Sequence, residues 1–239
     1  MSVHARACAA RLIVALDCTQ LAPALALARR LRGVVRTLKV GSMLFTACGP
    51  SAIQRIRALG FEVMLDLKFH DIPSTVEGCC QAAAAQRVRM LTVHAAGGRA
   101  MLEAAVRGVH DQTRRRKRRP LVLAVTVLTS VPQQRGADLR GQAVALAREA
   151  LRAGCDGVVT SAQEVPAIRR ACGRQLMIVA PGIRPPGTSA GDQSRICTPR
   201  EALERGADCL VVGRPITAAR DPRDAARAIL EHMEHAAAC

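Results

Sequence analysis

The stretch Met64-Leu65-Asp66-Leu67-Lys68-Phe69-His70-Asp71-Ile72-Pro73 joins an apolar run to a group of charged side chains. Because side chains alternate along a strand, Asp66 and Lys68 are expected to project to the same side. Asp66, Lys68 and Asp71 then form a chain of charges. A lysine between carboxylates stays protonated and fixed, which suits a general acid that protonates a carbanion. A purely structural salt-bridge cluster is the alternative, but burying charge without a use is costly.

Apolar runs of this kind recur along the whole chain, roughly every 20 to 40 residues. Continuous rather than alternating apolar runs are typical of strands buried on both faces, as in parallel sheets. The eight runs are Leu12–Leu16, Val35–Val40, Phe61–Leu65, Met90–Val93, Leu121–Val127, Gly157–Val159, Leu176–Val179 and Cys209–Val212.

Stretches with helical spacing lie between these runs, and several are followed by a glycine, as helices often are. Eight alternating strand–helix units in 239 residues predict a single (β/α)8 barrel domain over residues 1–239, a fold of about 250 residues with its active site at the C-terminal ends of the strands. A doubly wound open sheet is the competitor and would show fewer strands. The helical stretches are Leu21–Leu31, Ser51–Leu59, Val76–Ala85, Met101–Val109, Ala143–Leu151, Gln163–Ala171, Pro199–Arg205 and Asp221–Met233.

Composition excludes several classes of protein. Apolar residues make up 49% of the chain and the mean hydropathy is +0.12, which rules out a disordered chain. No apolar run approaches the roughly 18–20 residues that span a bilayer. The ten cysteines are scattered and form no CxxC pair, so neither a disulfide scaffold nor a zinc ribbon is indicated. We expect a cytoplasmic protein without membrane contact.

The charge balance singles out two lysines. Lys+Arg number 35 against 19 Asp+Glu, a net charge of +16. Arginine cannot easily release a proton, whereas lysine can, and Lys39 and Lys68 stand alone in a chain that otherwise uses arginine. The third lysine lies in the basic run 114–119, predicted to be a solvated surface loop on the N-terminal face of the barrel. With three Phe and no Trp or Tyr, no aromatic side chains interleave with the run to stack bases.

Polar and charged residues follow the predicted strands, where a barrel places its chemistry. Taken singly, each of these residues also has a purely structural explanation, as a helix cap, a loop hydroxyl or a core histidine. After the last strand, Gly213 allows close backbone approach and Arg214 offers a bidentate cation, which together indicate a phosphate site. The strand-end residues are Asp17, Lys39, Asp66, Lys68, Asp71, His94, Thr129, Ser161, Pro181–Arg184 and Gly213–Pro215.

Leu65–Pro73, together with Pro181–Pro185 and Gly191-Asp192-Gln193, closely resembles the orotidine 5′-phosphate decarboxylase family. The resemblance runs from about Leu12 to about Leu230 with the motifs in family order. It implies decarboxylation of orotidine 5′-monophosphate (OMP) to UMP, the last step of de novo pyrimidine synthesis, with no metal or organic cofactor.

The resemblance also implies a role for each matching residue. Lys68 would protonate C6 as carbon dioxide leaves, and Asp66 would press its charge against the substrate carboxylate. Family members are homodimers, so Asp71, Ile72 and Thr75 would serve the neighbouring subunit's site. The remaining expected contacts are Asp17 and Lys39 to the ribose, Thr129 to the pyrimidine, and Arg184, Gln193, Gly213 and Arg214 to the pyrimidine–phosphate end.

One departure from the family and two alternatives remain open. Arg87 stands where the family usually has glycine, at a cost of about 1 kcal/mol if that position needs a positive φ. Magnesium-dependent relatives, 3-keto-gulonate-6-phosphate decarboxylase and hexulose-phosphate synthase, share the Asp-x-Lys-x-x-Asp pattern, but Ile72-Pro73 and Asp192-Gln193 favour the orotidine enzyme. The net charge also allows salt-dependent association with nucleic acid; we expect no specific nucleic-acid partner.

Overall fold

A computed structural model describes residues 8–114, 118–130, 138–185 and 195–237. Eight parallel strands close into a barrel in the order in which they occur in the chain, and helices follow them on the outside. The predicted (β/α)8 barrel is therefore confirmed. The strands are β1 Leu12–Ala15, β2 Thr37–Gly41, β3 Glu62–Phe69, β4 Met90–His94, β5 Leu121–Val125, β6 Gly157–Val159, β7 Met177–Ala180 and β8 Cys209–Val212.

All eight predicted helices are present, with ends that differ by up to a few residues, and within the described segments two more α-helices follow β2 and β8. The first addition, Ser42–Cys48, was missed because it is short and is separated only by Gly49 (φ 58°) from the next helix. The helices are α1 Leu21–Leu31, α2 Ser42–Cys48, α3 Pro50–Ala58, α4 Pro73–Ala85, α5 Gly98–Thr113, α6 Leu139–Arg152, α7 Val165–Cys172, α8 Pro199–Glu204, α9 Arg214–Thr217 and α10 Pro222–Ala237.

The strands bury apolar side chains on both faces, which explains their continuous apolar sequences. One cluster fills the barrel interior and includes Ile13, Met64, Val125 and Val211. A larger cluster lies between the strands and the surrounding helices. Filling both layers holds the strand ends rigidly, so that side chains just beyond them are placed by the barrel itself.

Arg87 has a φ of 56°, the left-handed conformation that glycine adopts freely. The position therefore does have the positive φ on which the expected cost depended. Arginine in place of glycine lowers the stability of the folded protein by about 1 kcal/mol here. It precedes β4 at the N-terminal end of the barrel, opposite the C-terminal strand ends that carry the predicted site.

The described ends of the basic run lie between α5 and β5, on the N-terminal side of the barrel. Arg114 and Arg118 are exposed and Arg119 is half-buried; residues 115–117 lie outside the described part. Across the described segments, no helix combines the length and apolarity needed to cross a membrane. Six of the nine cysteines in those segments are buried, in keeping with small core residues.

Candidate active site

A cavity of about 470 Å³ opens at the C-terminal ends of the strands. Eight of the predicted site residues line it: Asp17, Lys39, Asp66, Lys68, Thr129, Arg184, Gly213 and Arg214. Asp71, Ile72 and Thr75 lie on the exposed surface beside β3 and do not line this cavity within a single chain. Gln193, with Gly191 and Asp192, lies outside the described residues.

Four of these side chains form a continuous chain of opposite charges across β1, β2 and β3. Lys39 Nζ lies 3.0 Å from Asp17 Oδ1 and 3.2 Å from Asp66 Oδ2, and Lys68 Nζ lies 2.9 Å from Asp66 Oδ1. Asp66 and Lys68 thus share a side, as strand alternation predicted. Within one chain, however, the network runs from Asp66 to Lys39 and Asp17, and the contact expected with Asp71 is not formed.

The network keeps its buried members ionised. Burial by itself would raise the pKa of Asp66, but the positive charges of Lys39 and Lys68 outweigh it and hold that pKa below its ordinary value. Burial would likewise lower the pKa of Lys39, but Asp66 and Asp17 outweigh it and the pKa is raised. Both groups are therefore charged throughout the neutral range. Lys68 has the more exposed ammonium, with 32% of its side chain accessible against 10% for Lys39.

The backbone of β3 is distorted where it carries this chemistry. Its register with β4 shifts between Leu65 and Phe69, and Lys68 has a φ of 51°. The side chain of Thr92, on β4, stabilises this distorted segment. Its fully buried hydroxyl accepts a hydrogen bond from the Lys68 backbone N–H (2.9 Å) and donates one to Asp66 Oδ1 (3.1 Å). Thr92 thus fixes both the strained residue and its carboxylate partner.

Two guanidinium groups share another part of the cavity. Arg184 is 8% exposed, and burial together with the positive charge of Arg214 lowers the pKa of Arg184. Gly182, two residues before Arg184, has a φ of 76°, a conformation that glycine adopts freely. Gly213 precedes the short helix that begins at Arg214. Two neighbouring guanidinium groups, with Gly213 beside them, favour the binding of an anionic group of a ligand at this end of the cavity.

The other polar residues at the strand ends differ in whether they line the cavity. Thr129 lines the cavity after β5, and after β6 it is Thr160 rather than the predicted Ser161. Ser161 is fully buried. His94 is half-buried beside His70, with their ring centroids 5.4 Å apart, and its pKa is lowered by burial and by the charges of His70 and Lys68.

A buried ion pair supports the wall that carries Thr129. Arg195 pairs with Glu164, both about 95% buried, and also donates a hydrogen bond to the Leu128 carbonyl oxygen at 2.8 Å. Sequence reasoning missed Thr92, Glu164 and Arg195. Their partners lie on other elements of the barrel, and a pattern along one segment carries no signal of such contacts.

The chain matches the family model described as "Orotidine 5'-phosphate decarboxylase / HUMPS family" over residues 10–229. Two relatives, both named orotidine 5′-phosphate decarboxylase, are those of Moorella thermoacetica, 47% identical over 94% of this chain and 92% of the relative, and of Halorhodospira halophila, 50% identical over 92% and 94%. A crystal structure of orotidine 5′-phosphate decarboxylase from Lactobacillus acidophilus superposes with a TM-score of 0.80 at 35% identity, covering 94% of this chain and 99% of that one.

These likenesses extend over nearly the whole barrel, including the segments that form its C-terminal mouth. The range of the family match includes every described site residue, from Asp17 after β1 to Arg214 after β8. The chain belongs to the orotidine 5′-phosphate decarboxylase / HUMPS family.

Proposed function

We propose that this chain is a carboxy-lyase that decarboxylates OMP to UMP, the last step of de novo pyrimidine synthesis. The observation that carries the proposal is the chain of alternating charges that ends on the partly exposed ammonium of Lys68. The names of relatives 44–50% identical over most of the chain support the same substrate.

Loss of carbon dioxide from C6 of the pyrimidine leaves an electron pair on a vinyl-type carbon without an electron sink, so the protein must supply electrostatics and positioning. Asp66, held ionised by two lysines, repels the substrate carboxylate as long as that group is charged. As the C6–carboxylate bond breaks and carbon dioxide departs, Lys68 transfers a proton to C6. The neutral amine then regains a proton from solvent.

Substrate binding is divided over the rest of the cavity. Asp17 and Lys39 bind the ribose hydroxyls from β1 and β2, and Thr129 lies by the pyrimidine. Gly213 and Arg214 hold the phosphate, with Arg184 and Gln193 completing that end. Burial and, after it, the positive charge of Arg214 lower the pKa of Arg184, and a phosphate dianion between the two guanidinium groups would offset their repulsion. Remote phosphate binding can in this way organise the charged network.

We further propose a cytoplasmic homodimer in which Asp71, Ile72 and Thr75 reach the neighbouring subunit's site. Ile72 is 64% exposed and lies four residues after Lys68, so its apolar side chain is available for contact with a second copy. Asp71 accepts a hydrogen bond from the Ile72 backbone N–H, and its carboxylate lies on the exposed surface.

The test is a spectrophotometric assay that follows loss of the orotate chromophore, with and without EDTA. We expect turnover that EDTA does not change, because neither a metal nor an organic cofactor is proposed. In Lys68→Ala we expect turnover to be abolished while UMP binding stays measurable, because the proton donor is lost and the phosphate site is kept. The control is Arg148→Ala, which also removes one positive charge but does so on the exposed surface of α6.

A near-wild-type rate in Lys68→Ala would contradict its assignment as proton donor. Turnover abolished by EDTA and restored by magnesium, on a sugar-phosphate substrate rather than OMP, would favour the magnesium-dependent relatives, 3-keto-gulonate-6-phosphate decarboxylase and hexulose-phosphate synthase. The family description names HUMPS beside orotidine 5′-phosphate decarboxylase, so the substrate assay decides between these activities.

A further inference from the structure

The opposite, N-terminal mouth of the barrel contains two adjoining cavities of about 430 and 590 Å³. Their walls include residues that immediately precede strands: Arg11 before β1, Arg36 before β2 and Arg89 before β4. Both cavities are lined by Glu62, Arg89 and Arg118. Among the described residues, the two linings together contain eight arginines and two carboxylates, so this mouth is strongly positive.

The carboxylates in this region are already paired. Glu62 lies 2.8 Å from Arg36 and 3.6 Å from Arg89. Asp208 pairs with Arg169, and Asp156 binds both terminal nitrogens of Arg119, at 2.7 and 2.6 Å.

Several guanidinium groups are left without a carboxylate. Arg11 donates instead to two main-chain carbonyl oxygens, of Ala207 and Asp208. Among the described residues, no ion pair is formed by the arginines at positions 57, 87, 118 and 174, all of which line the two cavities. Like charges gathered at one mouth repel one another unless an anion lies between them.

The smaller cavity also holds an arginine in a costly backbone conformation. Arg87 lines the smaller cavity in the left-handed conformation, with a φ of 56°, where glycine would be unstrained. Arg87 directly follows the last turn of α4, where a left-handed residue commonly ends a helix. Here the strained residue adds one more cation to a wall already formed by Arg57, Arg118 and Arg119.

We propose that this mouth binds a soluble oligophosphate anion, such as tripolyphosphate or the triphosphate of a nucleotide. Guanidinium groups bind phosphate oxygens in pairs. Two adjoining cavities that share Arg89 and Arg118 fit several linked phosphates better than a single one. The only aromatic side chain in either lining is Phe61, which is 6% exposed and offers bases no stacking surface. This favours an oligophosphate over single-stranded nucleic acid.

The test is calorimetric titration of the full chain with sodium tripolyphosphate, in the presence of saturating UMP to occupy the active site. We expect one site per chain, binding that weakens with salt, and much weaker binding of orthophosphate. Arg118→Ala and Arg87→Ala should each weaken tripolyphosphate binding about fivefold or more. Arg148→Ala, which removes the same charge outside both cavities, should leave it unchanged.

The variant Arg87→Gly distinguishes the effect of removing the positive charge from the effect of relieving the backbone strain. Both Arg87→Gly and Arg87→Ala should lose affinity, but only the glycine variant should raise the melting temperature of the ligand-free protein, because only glycine relieves the positive φ. Decarboxylation should stay at the wild-type rate in both.

Three results would overturn the proposal. The first is tripolyphosphate binding that Arg214→Ala abolishes while Arg118→Ala does not, which would locate it in the active site even if UMP fails to bind. The second is equal weakening by Arg148→Ala, which would show a general effect of charge. The third is a single-stranded RNA that binds this mouth more tightly than tripolyphosphate.

Discussion

Thr92 shows how one buried hydroxyl can govern a site that it does not line. It lies on β4, fully buried, between the backbone N–H of Lys68 and the carboxylate of Asp66. Since Lys68 is held in a left-handed conformation, the hydrogen bond to its N–H helps to maintain that backbone. Thr92 is therefore a positioning residue: it acts on the proposed proton donor only through Lys68 and Asp66.

We expect Thr92→Val to lower kcat about tenfold, with little change in KM, because the lost hydroxyl loosens Lys68 and leaves the phosphate end intact. Thr92→Ser keeps the hydroxyl and should restore most of kcat. Steady-state kinetics with OMP measure both constants.

The control for Thr92→Val is Thr113→Val. Thr113 is also a buried threonine, but its hydroxyl bonds to the Val109 carbonyl within α5, away from the site. This variant should change stability without changing kcat. A kcat in Thr92→Val as high as in Thr113→Val would show that the Thr92 hydroxyl is merely structural.

At the scale of elements, the contact between α4 and α5 positions the segment that follows β3. Helix α4 begins at Pro73, directly after Asp71 and Ile72, so its packing determines where these two residues lie. The two helices approach closely at Gly108, where an added Cβ would lie 2.4 Å from the Glu77 carbonyl oxygen. A backbone atom cannot move aside as a side-chain tip can.

Gly108→Ala is therefore expected to destabilise the protein by about 1–3 kcal/mol, because the helices must separate. Helix propensity alone predicts the opposite sign, a gain of about 1 kcal/mol for alanine over glycine. The urea midpoint of unfolding decides between them, and a rise in the midpoint would show that the helices are not in close contact at this position.

At the scale of the whole molecule, the two ends of the barrel present different surfaces. The C-terminal mouth carries the charge network and, near it, the exposed apolar side chain of Ile72. The N-terminal mouth is rich in arginine. If the C-terminal end meets a second copy, as proposed, the arginine-rich end stays accessible in the dimer.

The proposed sharing of sites predicts complementation between two inactive variants. Lys68→Ala lacks its own proton donor, and Asp71→Ala lacks the carboxylate given to its neighbour. In a mixed dimer, the Asp71→Ala subunit keeps Lys68 and receives Asp71 from its partner, so one site of two is intact. After equimolar unfolding and refolding, random pairing should restore about a quarter of wild-type activity.

Native mass spectrometry of the same sample measures the fraction of mixed dimers and serves as the control. Mixed dimers without recovered activity would place Asp71 in its own subunit's site or outside the chemistry altogether.

Much of the barrel could be predicted because its strands are buried on both faces and therefore carry continuous apolar sequences. The strand ends could be predicted because polar residues follow these runs. The helix Ser42–Cys48 was missed because so short a segment has little periodicity. The Lys39–Asp66 contact was missed because it depends on the register in which Gly41 on β2 pairs with Asp66 on β3.

By itself, the sequence determined the fold class, the end of the barrel that carries the site, and most of the side chains there, because local periodicity and chain order suffice for these. Only the tertiary structure decided how the charges pair, since pairing depends on strand register and on burial. It joined Asp17, Lys39, Asp66 and Lys68 in one chain, put the Thr92 hydroxyl beneath Lys68, and gathered arginines from distant segments at the opposite mouth.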